Sequence, residues 1–159
     1  MARRQFLLAS GTGAAVFVVP GCAADSESPA VGNPRNEAWE SQAAALEKKG
    51  MGLYTATDEK DQPGKGGSHV PLAAIAGNVV TISTTHKMVP IGADFPQGHY
   101  ITHHYLRDEA GVIFAWKTYA LGTDAEAKAT FTLPAGTKTF TAYQVCNLHW
   151  TWKAAPQTA

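Results

Sequence analysis

Residues 99–119, HYITHHYLRDEAGVIFAWKTY, decide the fold of this chain. They contain two runs, 99–106 and 112–119, rich in Ile, Tyr, Phe, Val and Thr, the residue types that fit a pleated, half-buried surface. Between the runs, Asp108-Glu109-Ala110-Gly111 is a turn signal short enough for a hairpin. Three more runs of the same character lie at 78–84, 129–133 and 138–145, and Leu133-Pro134-Ala135-Gly136 separates the last two. No helical period intervenes. Short strands, frequent turns and no helices between them predict an all-β architecture, an antiparallel β-sandwich of the immunoglobulin-like kind.

Composition agrees with a folded domain. The 159 residues are 45% hydrophobic and only 16% charged, with a formal net charge of zero. That excludes a disordered chain, which needs low hydrophobicity and high net charge. It also argues against a nucleic-acid binder, which carries a basic excess. Gly64-Lys65-Gly66-Gly67 lacks the Lys-Ser/Thr ending of a phosphate-binding loop and opens no predicted helix.

Upstream of the strands the period changes. Asn36 reads as a helix N-cap, Glu37 and Glu40 occupy the first turn, Lys48 and Lys49 the last, and Gly50 is a stop. Trp39, Ala43 and Leu46 share one face, so an amphipathic helix is expected over 36–49, with the sandwich over 51–159. Residues 22–35 are small, polar and Pro-containing, the composition of a tether. Residues 1–21 read as an export signal: Arg3-Arg4 precede an apolar stretch as in twin-arginine signals, and Gly21-Cys22 looks like a lipoprotein cleavage site. The expectation is a periplasmic protein held to the membrane through lipidated Cys22. Loss of residues 1–21 removes Arg3 and Arg4 and no acid, and Cys146 is then the one free thiol.

The chemistry concentrates in His and Cys. Cys146-Asn147-Leu148-His149 places a thiol and an imidazole close together at a strand end. Taken alone, the pair also fits a buried cysteine beside an unrelated histidine. His69, His86 and His99 lie at other strand ends or loops, where they can converge on the same pole of a sandwich. Neutral imidazoles with one thiolate suit iron, copper or zinc. His103 and His104 point to opposite faces of a strand. His103 is expected to share a face with Ile101 and is the substitute ligand should His86 fail; a structural role is the expectation for both. Trp150 and Trp152 are expected to pack around the site.

His69-Val70-Pro71, a His at a strand end, His99-Tyr100-Ile101 and Cys146-Asn147-Leu148-His149 with Trp152 resemble, in this order, the iron domain of superoxide reductases (desulfoferrodoxin and neelaredoxin). The resemblance covers about residues 66–153 and implies an immunoglobulin-like sandwich. It also implies a mononuclear iron with His69, His86, His99 and His149 in a plane and Cys146 on the axis. It further implies one-electron reduction of superoxide to hydrogen peroxide and an external one-electron donor.

Three features depart from that pattern. A Glu-Lys pair commonly precedes the first His in the family; here Gly67-Ser68 stand there, leaving Lys65 and Lys87 as the candidate cations beside the open site. Residues 87–98 form a longer spacer between His86 and His99. No four-Cys rubredoxin-like site is present. The alternatives are a copper electron carrier on a β-sandwich, or a non-catalytic iron-binding lipoprotein. Homo-oligomerisation is left open.

Overall fold

A computed structural model describes residues 36–159. The export-signal, tether and Cys22 readings therefore lie outside the described residues. The first element is helix α1, Glu37–Glu47. Asn36 caps it as expected, its Oδ1 accepting the Trp39 backbone N–H at 3.1 Å. The helix ends before Lys48 and Lys49, so neither occupies its last turn. Gly50 follows in the left-handed region at φ 61°, and a Cβ there would lie 2.2 Å from the Trp150 ring. A one-turn helix α2, Gly66–His69, opens where none was expected.

Eight strands follow: β1 Leu72–Ala76, β2 Val79–Ser83, β3 Ile101–Asp108, β4 Ile113–Thr118, β5 Lys128–Thr132, β6 Thr139–Cys146, β7 Trp150–Lys153 and β8 Gln157–Thr158. They form two antiparallel sheets, one in the order β1-β2-β5, the other β4-β3-β6-β7 with β8 also pairing with β6. The predicted sandwich is what the structure shows, and β3–β4 is the hairpin expected at Asp108–Gly111. β1, β7 and β8 were not expected. β1 is Leu-Ala-Ala-Ile-Ala and largely exposed, β7 has four residues and β8 two, so none carries a long alternating pattern.

The inner faces pack Val80, Ile82 and Phe131 of one sheet against Leu106, Phe114, Phe140 and Ala142 of the other. A third layer lies outside. Ala43 of α1, flanked by Trp39 and Leu46, covers Tyr105, Trp116, Tyr143 and Val145 on the outer face of the larger sheet. Arg107 ties this layer down: it donates to Glu40 at 2.8 Å, to Glu47 at 3.1 Å and to the Gly111 carbonyl at 2.6 Å. Glu40 in turn accepts the Ile113 N–H at 2.8 Å, and Glu47 the Tyr105 hydroxyl at 2.7 Å.

One irregularity corrects the face expected for His103. Ile101 pairs with Cys146 and His103 with Val145, so the register shifts between them. The bulge inserts a residue and breaks the alternation. Ile101 thus packs inward beside Cys146, while His103 lies over Trp116 and bonds Gln42 of α1 at 3.2 Å.

Candidate metal centre

All the strand ends that matter lie at one pole. His69 ends α2 just before β1, and His86 follows β2, whose Ser83 pairs with Leu72 at the start of β1. His99 leads into β3, whose first residue pairs with Cys146 at the end of β6; His149 sits in the turn between β6 and β7. One donor atom from each of these five residues falls within 4.8 Å of all the others.

The arrangement is a square with an axis. His69 Nε2 lies 2.9 Å from His149 Nδ1, which lies 3.1 Å from His99 Nε2, which lies 2.9 Å from His86 Nε2. The rings agree. Neighbouring centroids, including the pair His69–His86, are 4.3–4.8 Å apart, whereas the opposite pair His69–His99 is 6.4 Å apart. That ratio is close to a square's diagonal over its side. Neighbouring rings stand at 73–80° to one another, so four lone pairs converge without ring clashes. The centre of such a square is about 2.1 Å from each nitrogen, a metal–imidazole bond length. Cys146 Sγ is 3.7 Å from His149 Nδ1 and 4.0 Å from His86 Nε2. These two are opposite corners, so the sulfur stands near the axis.

The protonation states suit a cation. Burial, with smaller contributions from the facing histidines, holds His69 down at about pKa 3 and His86 at about 4. His149 is lowered to about 4 and His99 is lowered too, in both cases first by burial. At neutral pH all four offer lone pairs. The Lys65 carbonyl can only accept, so His69 Nδ1, 3.1 Å away, carries the proton and Nε2 the lone pair. Burial raises the Cys146 thiol, while the backbone N–H groups of Leu148 and His149 and the charge of Lys65 favour its thiolate. Four neutral nitrogens and one sulfur fit a first-row transition ion; the two-His, one-Cys trigonal set of blue copper is a smaller constellation. Cys146 is 1% exposed, which seals the sulfur side. His99 and His149 are half-buried, so this part of the group is less enclosed than the sulfur.

The other candidates separate. The Lys65 charge acts on His86, His99, His149 and Cys146, whereas Lys87 acts on His86 only through its backbone. Ser68 bonds the Lys65 carbonyl at 3.2 Å and His69 Nδ1 at 2.9 Å. His103 belongs to the α1 face and is no substitute ligand. His104 is fully buried on the inner face between Thr84 at 2.7 Å and the Tyr119 hydroxyl at 2.9 Å. Residues 87–98 form an ordered loop, closed by reciprocal bonds between Val89 and His99, with Phe95 lying 5.0 Å from the His99 ring.

Two supporting residues escaped the sequence reading. Asn147 Oδ1 accepts the Tyr100 N–H at 2.9 Å and Nδ2 donates to the Gly98 carbonyl at 3.0 Å, so one side chain holds the backbone on both sides of His99. The signal was present: an Asn between two donor residues at a strand end is well placed to bond backbone. Glu59 accepts the N–H groups of Gly64 and Gly66, gripping the turn that carries Lys65. A Cβ on Gly66 would sit 2.4 Å from that carboxylate, so a larger residue there would push the Glu59 side chain aside. Nothing in the local sequence marks Glu59.

Neither a protein-family model nor a curated protein matches the chain. Solved structures do. A superoxide reductase (neelaredoxin) from Ignicoccus hospitalis is 21% identical over 67% of this chain and 91% of its own, at a TM-score of 0.50. This likeness shows a shared sandwich fold. A superoxide reductase from Giardia intestinalis is 26% identical over 58% of this chain and 98% of its own, at 0.45. One from Treponema pallidum is 26% identical over 56% of this chain and 67% of its own, at 0.41.

Proposed function

We propose that this chain is an iron-dependent superoxide reductase. The observation that carries the reading is the square of four imidazole nitrogens with a thiol on its axis. The fold shared with a neelaredoxin and the order of the motifs support it. His69, His86, His99, His149 and Cys146 would hold the iron. A bound ferrous ion supplies one electron to superoxide, which takes up two protons and leaves as hydrogen peroxide.

The protein's own residues prepare that step. The neutral imidazoles add no charge of their own, the Cys146 sulfur, sealed from water, would lend a bound ion electron density, and the face of the square away from Cys146 is left to the substrate. That face is where a small anion reaches the centre. Lys65 draws superoxide toward it, in place of the family's lysine before the first His; salt would screen this attraction. Among the described residues no second group of His, Cys or acidic side chains is placed to hold another metal. We infer, from the reductase reading, that an external one-electron donor restores the ferrous state. We also read the chain as exported and anchored through Cys22; Cys22→Ala should release it from the membrane fraction.

Metal analysis and visible spectra of the purified protein, with superoxide decay followed by pulse radiolysis, test the reading. One iron per chain is expected, with a thiolate-to-ferric band that Cys146→Ser abolishes. Superoxide should be consumed with formation of peroxide and no evolution of oxygen. Stoichiometric copper or zinc with no affinity for iron refutes the proposal.

A further inference from the structure

A line of aromatic rings joins the metal centre to the surface. Trp152 is fully buried, its ring 5.4 Å from His69, and its Nε1–H donates to the His149 carbonyl at 2.7 Å. It therefore touches two of the four imidazole residues. Tyr54 stacks on Trp152 at 5.2 Å and 28°. Main-chain bonds fix this stack: the Tyr54 N–H donates to the Thr151 carbonyl at 3.0 Å, and the Lys153 N–H donates to the Tyr54 carbonyl at 2.9 Å. At the far end the Tyr54 hydroxyl donates to Asp61 Oδ1 at 2.7 Å and accepts the Met51 N–H at 2.9 Å. Asp61 is exposed.

The other buried tyrosines lack one part or the other. Tyr105 has a carboxylate in Glu47, but it stacks on Trp116 and Tyr143 beneath α1. Tyr119 bonds His104. Tyr54 combines a stack that ends on a donor ring with a carboxylate that can take its phenolic proton. That proton must leave when a tyrosine loses an electron, because the oxidised phenol is a strong acid.

We propose that Trp152 and Tyr54 form an electron path that protects the centre from hydrogen peroxide. The inference rests on the reductase reading, which makes peroxide the product. Peroxide needs two electrons to break its O–O bond, and a ferrous ion yields one. Tyr54 yields the second through Trp152, its proton passes to Asp61, and two protons complete two waters. The products are ferric iron, a Tyr54 phenoxyl radical and water; the external donor later reduces both centres. Without this path the second oxidising equivalent falls on the Cys146 sulfur, the most oxidisable group beside the ion.

The test mixes iron-loaded ferrous protein with one equivalent of peroxide, freezes it and records the electron paramagnetic resonance spectrum. Wild type should show a phenoxyl signal that narrows with ring-deuterated tyrosine. Tyr54→Phe should lose it, Trp152→Phe and Asp61→Asn should weaken it, and Tyr105→Phe and Tyr119→Phe should keep it. Mass spectrometry after repeated peroxide additions should find Cys146 oxidised several-fold faster in Tyr54→Phe. Should Tyr54→Phe not fold, Asp61→Asn decides, since it alters an exposed side chain and leaves the rings in place. A signal that survives Tyr54→Phe, or that only Tyr119→Phe removes, overturns the proposal. So does a protein that binds iron and reduces superoxide but shows neither the radical nor a difference in thiol oxidation; the reductase reading then stands alone. A chain that takes up no iron overturns both.

Discussion

Replacing Asn147 by Ala should loosen the metal centre without removing any of its donors. The side chain makes two bonds to main chain, one on each side of His99, and both are lost. The Tyr100 carbonyl keeps its bond from the Asn147 backbone N–H at 3.1 Å, so β3 and β6 stay joined. A neutral hydrogen bond contributes about 0.5–1.5 kcal/mol net, so the pair is worth about 2 kcal/mol. Where that energy holds His99 against the other three imidazoles, it appears in metal affinity as roughly a thirty-fold rise in Kd, within the range measured for groups that orient metal ligands. Competition titration with a chelator measures the Kd, and urea unfolding of the metal-free protein measures the share that falls on the fold. Asn147→Asp sharpens the test. It still accepts from Tyr100, but it sets a carboxylate oxygen against the Gly98 carbonyl and a negative charge beside Cys146. Its affinity should therefore also fall. Combined with His99→Ala, Asn147→Ala should add little further loss, because its effect passes through that ring. A Kd within about two-fold of wild type, with stability lowered by less than about 0.5 kcal/mol, would show that His99 is held by other means.

Arg107→Met should lower stability by about 2–3 kcal/mol in urea, less than for a fully buried pair because Glu40 and Glu47 keep 19% and 21% of their exposure. Metal Kd should not change. Lys65→Met should slow superoxide consumption and flatten its dependence on ionic strength, while Lys87→Met should do neither; stopped-flow decay at several salt concentrations separates them. His104 is held at about pKa 3 by burial, with His103 adding to the effect, whereas an unfolded histidine titrates near 6.5. The unfolded chain then binds more protons, so this contribution is complete above about pH 6.5 and shrinks as pH falls toward 3, by about 2 kcal/mol at pH 5. Urea curves of wild type and His104→Gln at pH 7 and pH 5 should show the smaller loss in the variant.

The strands with long runs of β-branched and aromatic residues could be read directly, because their inner and outer faces both demand such residues: Val80 and Ile82 face one way, Tyr105 and Trp116 the other. β1 could not, since an exposed Ala-rich edge takes its structure from pairing with β2. The five donor residues were legible from residue type together with their place at strand ends and the order of the motifs, which left His103 and His104 aside. Their order around the square, and the nearness of Lys65 rather than Lys87, depend on how loops far apart in the chain pack. The bulge that turns His103 away from Ile101 leaves no mark in the residues at 101–103, so strict alternation put it on the wrong face. Asn147 and Glu59 act through main-chain atoms of other segments, and such partners have no sequence pattern.

The donors also divide between the two sheets. His69 and His86 flank the β1–β2 hairpin, whereas His99 precedes β3, Cys146 ends β6 and His149 sits in the turn before β7, all on the other sheet. An ion at their centre is therefore a cross-link, and it closes a ring of chain between residues 80 apart. Treated as a covalent tie, a loop of that length removes about 4–5 kcal/mol of chain entropy from the unfolded ensemble. One ion thus takes the part that an inter-sheet disulfide plays in other sandwiches, in a domain whose one described cysteine is free. Stripping the ion should release the two sheets from each other at this pole first, so amide exchange there accelerates before the opposite pole, around Pro134–Gly136, responds.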